Sequence, residues 1–281
     1  MNSLKTAVLM AGLAGILLAL GWFLGGMDGA IIAFVIALAI NFVSFFWSDK
    51  IVLGMYRAKE IPRSENPRIH EMVEELAARA GVPKPRVYLV PTNVPNAFAT
   101  GRDPSHSVVA VTDGILKMLS QEELKGVLAH EISHVKHRDI LIGTVAATVA
   151  TAVTMIASML RFGAIFGGGG RDRRGGGLEL LILAILAPLA ASIIQMAISR
   201  SREYAADEGA ARVSMQPLGL ADALVKLAGS NKAAGGIATP ETAHMFIVSS
   251  VRGSSFASLF STHPPVEERV RRLRKMAGIA A

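Results

Sequence analysis

SQEELKGVLAHEISHVKHRD, residues 120–139, is the stretch on which the reading of this chain turns. It reads as a helix. Ser120 and Glu123 have capping-box spacing, Leu124, Val127, Leu128, Ile132 and Val135 recur at helical intervals, and no proline interrupts the run. On such a helix His130 and His134, the ends of an H-E-x-x-H pattern, lie one turn apart on one face, where both imidazoles can reach a single metal ion. Glu131 follows the first histidine directly, so its carboxylate can reach a water held by that ion. A surface helix with two solvated histidines would show the same five residues, so the rest of the chain has to discriminate.

Hydrophobic residues make up 51% of the 281 positions and charged residues only 18%, with a mean hydropathy of +0.43. That balance points to membrane segments beside a folded domain. The absence of cysteine excludes disulfides and thiolate metal sites, so any metal must be held by histidine and carboxylate. The net charge of +7 fits an anionic lipid surface. Its lysines and arginines are dispersed, with no aromatic-rich basic module, so no nucleic-acid partner is expected.

Residues 6–27 and 29–48 carry no charge, and each supplies the roughly 20 apolar residues of a membrane-spanning helix. Gly25, Gly26, Asp28 and Gly29 form the turn between them. Lys5 precedes this hairpin and Lys50, Arg57, Lys59 and Arg63 follow it, which places both ends in the cytoplasm. No small-residue cleavage site follows the first segment, so a retained hairpin is expected rather than a signal peptide. Trp22, Phe23, Phe45, Phe46 and Trp47 sit at segment ends, where aromatic rings favour the interface.

From Ile51 to Asp139 the chain reads as soluble. Asn66-Pro67 opens a helix whose inner face is Ile69, Val73, Leu76 and Ala80, with Gly81 and Pro83 at its end. RVYLV (86–90) and SVVAVT (107–112) read as strands, and the passage between them, ending in PNAFATG (95–101), as turn-rich. One strand is expected to be an exposed edge able to pair with an extended peptide. Residues 140–160 form a third apolar stretch, expected to continue without a break from the H-E-x-x-H helix. Residues 180–199 form a fourth, with a kink at Pro188. The Gly-rich loop 161–177 between them holds four arginines, against the positive-inside rule if all four stretches span. Glu203 and Asp207, at i and i+4, share a helix face. Gln216-Pro217 opens a helix to Ala228, residues 229–240 read as a mobile loop, and His263-Pro264-Pro265 precedes a basic terminal helix.

Two histidines do not complete a catalytic zinc site, which usually has three protein ligands and a water. His137, Asp139, Glu203, Asp207, Glu208 and His263 are candidates for the third ligand. His137 follows His130 along one straight helix face, where three ligands would be nearly coplanar, and it reads as a polar helix residue. Spacing does not separate Glu203 from Asp207.

His130-Glu131-x-x-His134, followed by Ser199-Arg200-x-x-Glu203-Tyr204-x-Ala206-Asp207, resembles the HtpX family of membrane-bound zinc metalloproteases. These are gluzincins related to the type I CAAX prenyl endopeptidases. Asn96-Ala97-Phe98-Ala99-Thr100-Gly101 and Thr262-His263-Pro264-Pro265 extend the likeness to essentially the whole chain. The resemblance implies one zinc ion per chain, held by His130, His134 and Glu203, with Glu131 as general base. It further implies Asp207 as the carboxylate that orients a ligand histidine, His263 as an oxyanion-stabilising group, and Asn96, Ala97 and Phe98 on the substrate side.

The expected architecture is a mainly α-helical integral membrane protein with a small β-sheet in a cytoplasmic gluzincin-type catalytic domain. Residues 1–49 form the transmembrane hairpin, 50–139 and 200–281 the two parts of the catalytic domain, and 140–199 a second hydrophobic hairpin. The implied activity is cleavage of misfolded or damaged membrane proteins at the cytoplasmic face of the inner membrane. The expected partners are polypeptide substrates and the lipid bilayer, with a homo-oligomer left open.

Overall fold

The computed structural model describes residues 2–142, 145, 200–233 and 264–279. The fourth apolar stretch, most of the third, the Gly-rich loop 161–177, residues 234–240 and His263 lie outside them.

The N-terminal run α1 (Asn2–Met55) stays in helical geometry for 54 residues, yet it is not one rod. Gly26 has a φ of +58°, a left-handed conformation that glycine adopts without steric cost. Asn41 Nδ2 donates to the Met10 carbonyl at 3.3 Å, although 31 residues of straight helix would hold these groups about 47 Å apart. The run therefore doubles back around Gly26. Ala33, Ala37 and Ser44 are buried along with this contact. Gly26–Trp47 is long and apolar enough to cross a bilayer, the one such helix among the described residues.

The end of α1 leads into a four-stranded mixed sheet of order β1-β2-β4-β3, with β1 Lys59–Glu60, β2 Arg86–Val90, β3 Ala97–Gly101 and β4 Ser107–Thr112. Strands β2 and β4 are parallel, while β1 and β3 are antiparallel edges. Strand β3 corrects the reading of PNAFATG as a turn passage: Ala97 to Gly101 pair with Val111 to Ser107. Ala97, Ala99 and Gly101 carry little strand propensity of their own, which leaves only Phe98 and Thr100 to favour a strand, so pairing with β4 fixes the conformation. Alternation along β4 sends Val109 and Val111 to the main core, and Val108 and Ala110 to a smaller one formed with Val52, Leu53, Val90 and Phe98. The sheet is thereby clamped between the last turns of α1 and the helices on its other face.

Those helices are α2 (Pro67–Ala80), α3 (Asp113–Met118), α4 (Gln121–Lys136), α5 (Arg200–Ser214), α6 (Pro217–Ala233) and α7 (Val266–Met276). Helix α2 begins with Asn66 capping the Ile69 amide and ends at Gly81 with a φ of +72°. It buries Ile69, Val73, Leu76 and Ala80 as their spacing requires. Helix α4 opens with the full capping box: Ser120 Oγ takes the Glu123 amide and Glu123 Oε2 takes the Ser120 amide. Helix α6 runs past Ala228 to Ala233, so the segment read as a loop from Gly229 is helical at its start.

Helix α4 does not continue into the third apolar stretch. It stops at Lys136, and Arg138 takes a φ of +58°. The Arg138 amide bonds the Val135 carbonyl at 3.1 Å and the Asp139 amide the His134 carbonyl at 2.9 Å. This pair of bonds is a Schellman turn, built without its usual glycine. Helical geometry resumes only at Ile140.

Helix α4 is the hub, packed against α5 and α6 through glycines that permit close approach. A Cβ on Gly126 would fall on the backbone of Leu220 in α6, 2.8 Å from its Cα, and one on Gly209 of α5 would lie 2.9 Å from Ser133 Cβ. Gly126→Ala is therefore expected to force α4 and α6 apart at a cost of about 1–3 kcal/mol. Gly229→Ala in α6, where an added Cβ meets nothing within 4 Å, should instead stabilise by up to ~1 kcal/mol. Thermal unfolding of both variants in the same detergent checks the contrast.

Candidate metal centre

Every group of the centre projects from α4 or from an element packed on it. His130 and Glu131 are buried and His134 nearly so. Glu203, in the first turn of α5, reaches back between the histidines: its Oε2 is 3.6 Å from His130 Nε2 and its Oε1 3.6 Å from His134 Nε2. The two Nε2 atoms are 3.2 Å apart. Ligand atoms about 2.05 Å from a tetrahedral zinc ion lie roughly 3.3 Å from one another, so the three donors already have nearly that spacing. His130, His134 and Glu203 form the one such group found among the described residues.

The outer faces of the two rings explain why the inner nitrogens are free to coordinate. Asp207 Oδ1 lies 3.0 Å from His130 Nδ1, and Asp139 Oδ2 lies 3.2 Å from His134 Nδ1. Each carboxylate favours the ring proton on Nδ1 and leaves the Nε2 lone pair aimed into the pocket. Two lone pairs facing each other beside a carboxylate are repulsive unless a cation lies between them. The donor set fits a metal ion on that ground.

Asp207 is itself fixed from behind. Arg269 of α7 donates Nε to Oδ2 at 2.9 Å and Nη2 to Oδ1 at 2.7 Å. Both side chains are within 2% of complete burial. Burial opposes the Asp207 charge, but the guanidinium outweighs it and brings the carboxyl down to about 2. For His130 burial lowers the pKa, while Asp207 and Glu203 raise it more, to about 9 in the absence of metal. The pocket thus stores a proton where a metal ion would sit.

Glu131 points the other way, towards the sheet. Its Oε2 accepts the Ala99 amide of β3 at 2.8 Å. Burial raises its carboxyl above the usual range, against the two neighbouring histidines, which strengthens it as a base. The Ala99 amide points away from β4, so edge strand β3 turns its free side to this carboxylate.

Of the residues singled out in the sequence, the fold brings His130, Glu131, His134, Glu203 and Asp207 together. His137 caps α4, and Asp139 is the carboxylate behind His134 rather than a third ligand. Ala97 is buried in the main core. Phe98 faces away from the metal donors: its ring packs 5.4 Å from Tyr56 at the end of α1. A substrate-side role for Phe98 would therefore have to use the β3 backbone. Asn96 is buried, its amide bonded to Thr112 Oγ1 at 2.9 Å. Arg269 escaped the sequence reading, although Val266, Val270 and Leu273 around it mark a buried face on which a charge needs a partner.

Two tests follow. Asp207→Asn and Asp139→Asn should each weaken metal binding by roughly 10–100-fold. Arg269→Ala, which strands the buried Asp207 charge, should cost about 3–5 kcal/mol of stability; metal titration and thermal unfolding read the two effects. Because His130 must lose its extra proton to coordinate, apparent metal affinity should fall about tenfold per pH unit below about 9. Proton release on metal addition, measured with an indicator dye, checks the sign.

A profile of peptidase family M48 matches residues 63–277. The chain is 56% identical over 282 residues to a protein named Protease HtpX homolog in Persephonella marina, covering 99% of this chain and 98% of that one. It is 53% identical over 277 residues to the protein of the same name in Pyrococcus furiosus, covering 97% and 95%. The crystal structure of S. mikatae Ste24p shares the fold at a TM-score of 0.57 and 18% identity, over 97% of this chain and 65% of that longer one. The M48 match runs through the H-E-x-x-H helix, Glu203 and the terminal helix that carries Arg269, and the chain belongs to peptidase family M48, as a metalloprotease.

Proposed function

We propose that this chain is a zinc-dependent endopeptidase that cleaves misfolded or damaged membrane proteins at the cytoplasmic face of the membrane. The observation that carries the reading is Glu131. A metal site with a purely structural role has no use for a buried carboxylate beside its ligands, raised in basicity and hydrogen-bonded to a sheet edge. His130, His134 and Glu203 would hold the zinc ion. When bound it would lower the pKa of a coordinated water to ~7 and polarise the substrate carbonyl.

The chain's own groups do the remaining work. Glu131 accepts the proton of the attacking water and hands it to the leaving amine. The Asp207–Arg269 pair and Asp139 hold the two histidines in their coordinating tautomers. The outward face of β3 would receive an extended polypeptide by strand addition, with Asn96 and Ala97 fixing where the strand starts. His263 is proposed to stabilise the oxyanion. The membrane reading is supported by the length of Gly26–Trp47, by the reversal at Gly26 and by the lysines and arginines flanking the hairpin. Both arms are proposed to span, with residues 140–199 supplying a second hairpin.

Glu131→Gln should retain one zinc per chain and lose casein cleavage by at least 10²–10⁴-fold. Cleavage by wild type should vanish with chelator and return with added zinc. Undiminished cleavage by Glu131→Gln would overturn the assignment of the base, and full activity without metal would overturn the reaction class.

A further inference from the structure

Where α1 leaves its apolar span, its last aromatic rings and the sheet enclose a cleft of about 310 Å³, unconnected with the metal donors. Phe46 and Trp47 form one wall, Lys50 stands at the rim, and Arg86 and Arg102 reach in from the strand ends. We propose that this cleft binds the phosphate of an anionic phospholipid headgroup and fastens the sheet to the membrane surface. The proposal rests on the reading of Gly26–Trp47 as a membrane span.

Three features carry it. The first is level. The span ends at Trp47, and aromatic rings at the end of a span sit among the headgroups, so the cations beside them lie at phosphate depth. The second is the state of the cations. Arg102 stacks over Phe46 with its guanidinium carbon 5.6 Å from the ring centroid, a placement that leaves its N–H edge directed sideways. Its Nη2 lies 2.8 Å from His106 Nε2. Arginine can only donate, so His106 accepts there and turns its Nδ1 proton to Asp103 at 2.9 Å. His106 therefore serves to aim Arg102.

The third feature is the excess of cations over carboxylates, whose contacts with the arginines are long. Asp49 is 3.6 Å from Arg86 Nη2 and Asp103 is 3.5 Å from Arg102 Nε. Neither separation is a tight charge-assisted hydrogen bond. Lys50 is exposed. Three cations against two carboxylates, of which Asp103 is already taken up by His106, roofed by aromatic rings, suit a phosphate whose acyl chains continue along the apolar face of α1. A soluble phosphate would use the cations and ignore the rings. An acidic polypeptide would have to enter through the headgroup layer.

The test uses the full chain in a neutral detergent with Trp22→Phe, so that Trp47 in the cleft wall is the sole tryptophan. Short-chain phosphatidylglycerol should change Trp47 fluorescence saturably, while matched phosphatidylcholine and inorganic phosphate should not. Lys50→Gln should weaken the response about fivefold and Lys50→Gln with Arg102→Gln about 25-fold, at roughly a fivefold loss per cation. Zinc content should stay at one per chain in both variants, which shows that they are folded. If the double variant loses zinc, the Lys50→Gln titration decides. An equal response to phosphatidylcholine or to inorganic phosphate, or variants that bind as wild type does, overturns the headgroup site. Alkaline carbonate extraction of native membranes separates this from the parent reading. Release of the protein overturns the membrane span and the site with it, whereas retention without phosphatidylglycerol selectivity overturns the site alone.

Discussion

The bidentate pair between Arg269 and Asp207 joins the last described helix of the chain to His130 of the candidate metal centre. A carboxylate this deeply buried survives as an anion only with a full set of partners, because its desolvation alone would protonate it. Arg269 supplies two hydrogen bonds, and Asp207 Oδ1 then faces His130 Nδ1 at 3.0 Å. Three helices distant in sequence are thereby tied through one carboxylate. The tautomer of His130, and with it the direction of its inner lone pair, depends on a residue carried by the last described helix.

The second histidine is held by different means. Asp139 reaches His134 because the Schellman turn at Arg138 reverses the chain one residue after the C-cap. A non-glycine residue at a φ of +58° costs on the order of 1–2 kcal/mol. That cost is borne beside a candidate metal ligand, and backbone strain is commonly found at functional sites. Had α4 run on into the next apolar stretch, Asp139 would have been carried about 140° round the helix from the histidine and along the axis. The break in the helix is what turns a nearby acid into a partner for His134.

This difference marks what the sequence could tell. The H-E-x-x-H helix was legible because capping box, apolar period and ligand spacing all agree over 120–136, and agreement across levels is what makes a segment readable. The face shared by Glu203 and Asp207 was legible too, but their roles were not, since spacing alone cannot say which carboxylate meets the metal and which meets a ring nitrogen. Strand β3 was hidden because Ala97, Ala99 and Gly101 dilute the strand signal of Phe98 and Thr100, and the conformation comes from pairing with β4. The turn at Arg138 was hidden because no glycine announces it. Arg269 sat among other basic residues of α7, and only its place on the buried stripe sets it apart.

Glu131 connects these parts to the chemistry. Its backbone belongs to the ligand helix, while its Oε2 is bonded to the Ala99 amide on the free side of β3. Strand β3 is in turn fixed on its other face by Phe98, packed against Tyr56 at the end of α1. The proposed base, the strand proposed to receive the substrate and the helix proposed to lie in the membrane are thus three steps of one packed chain of contacts. A polypeptide added to β3 would be registered against the same amide row that positions Glu131. The distance from scissile carbonyl to base would then be set by backbone geometry, which is indifferent to side-chain sequence. An enzyme built this way gains broad tolerance for what it cuts and gives up most means of selecting it. That is the compromise expected if the substrates are, as proposed, selected by damage and not by sequence.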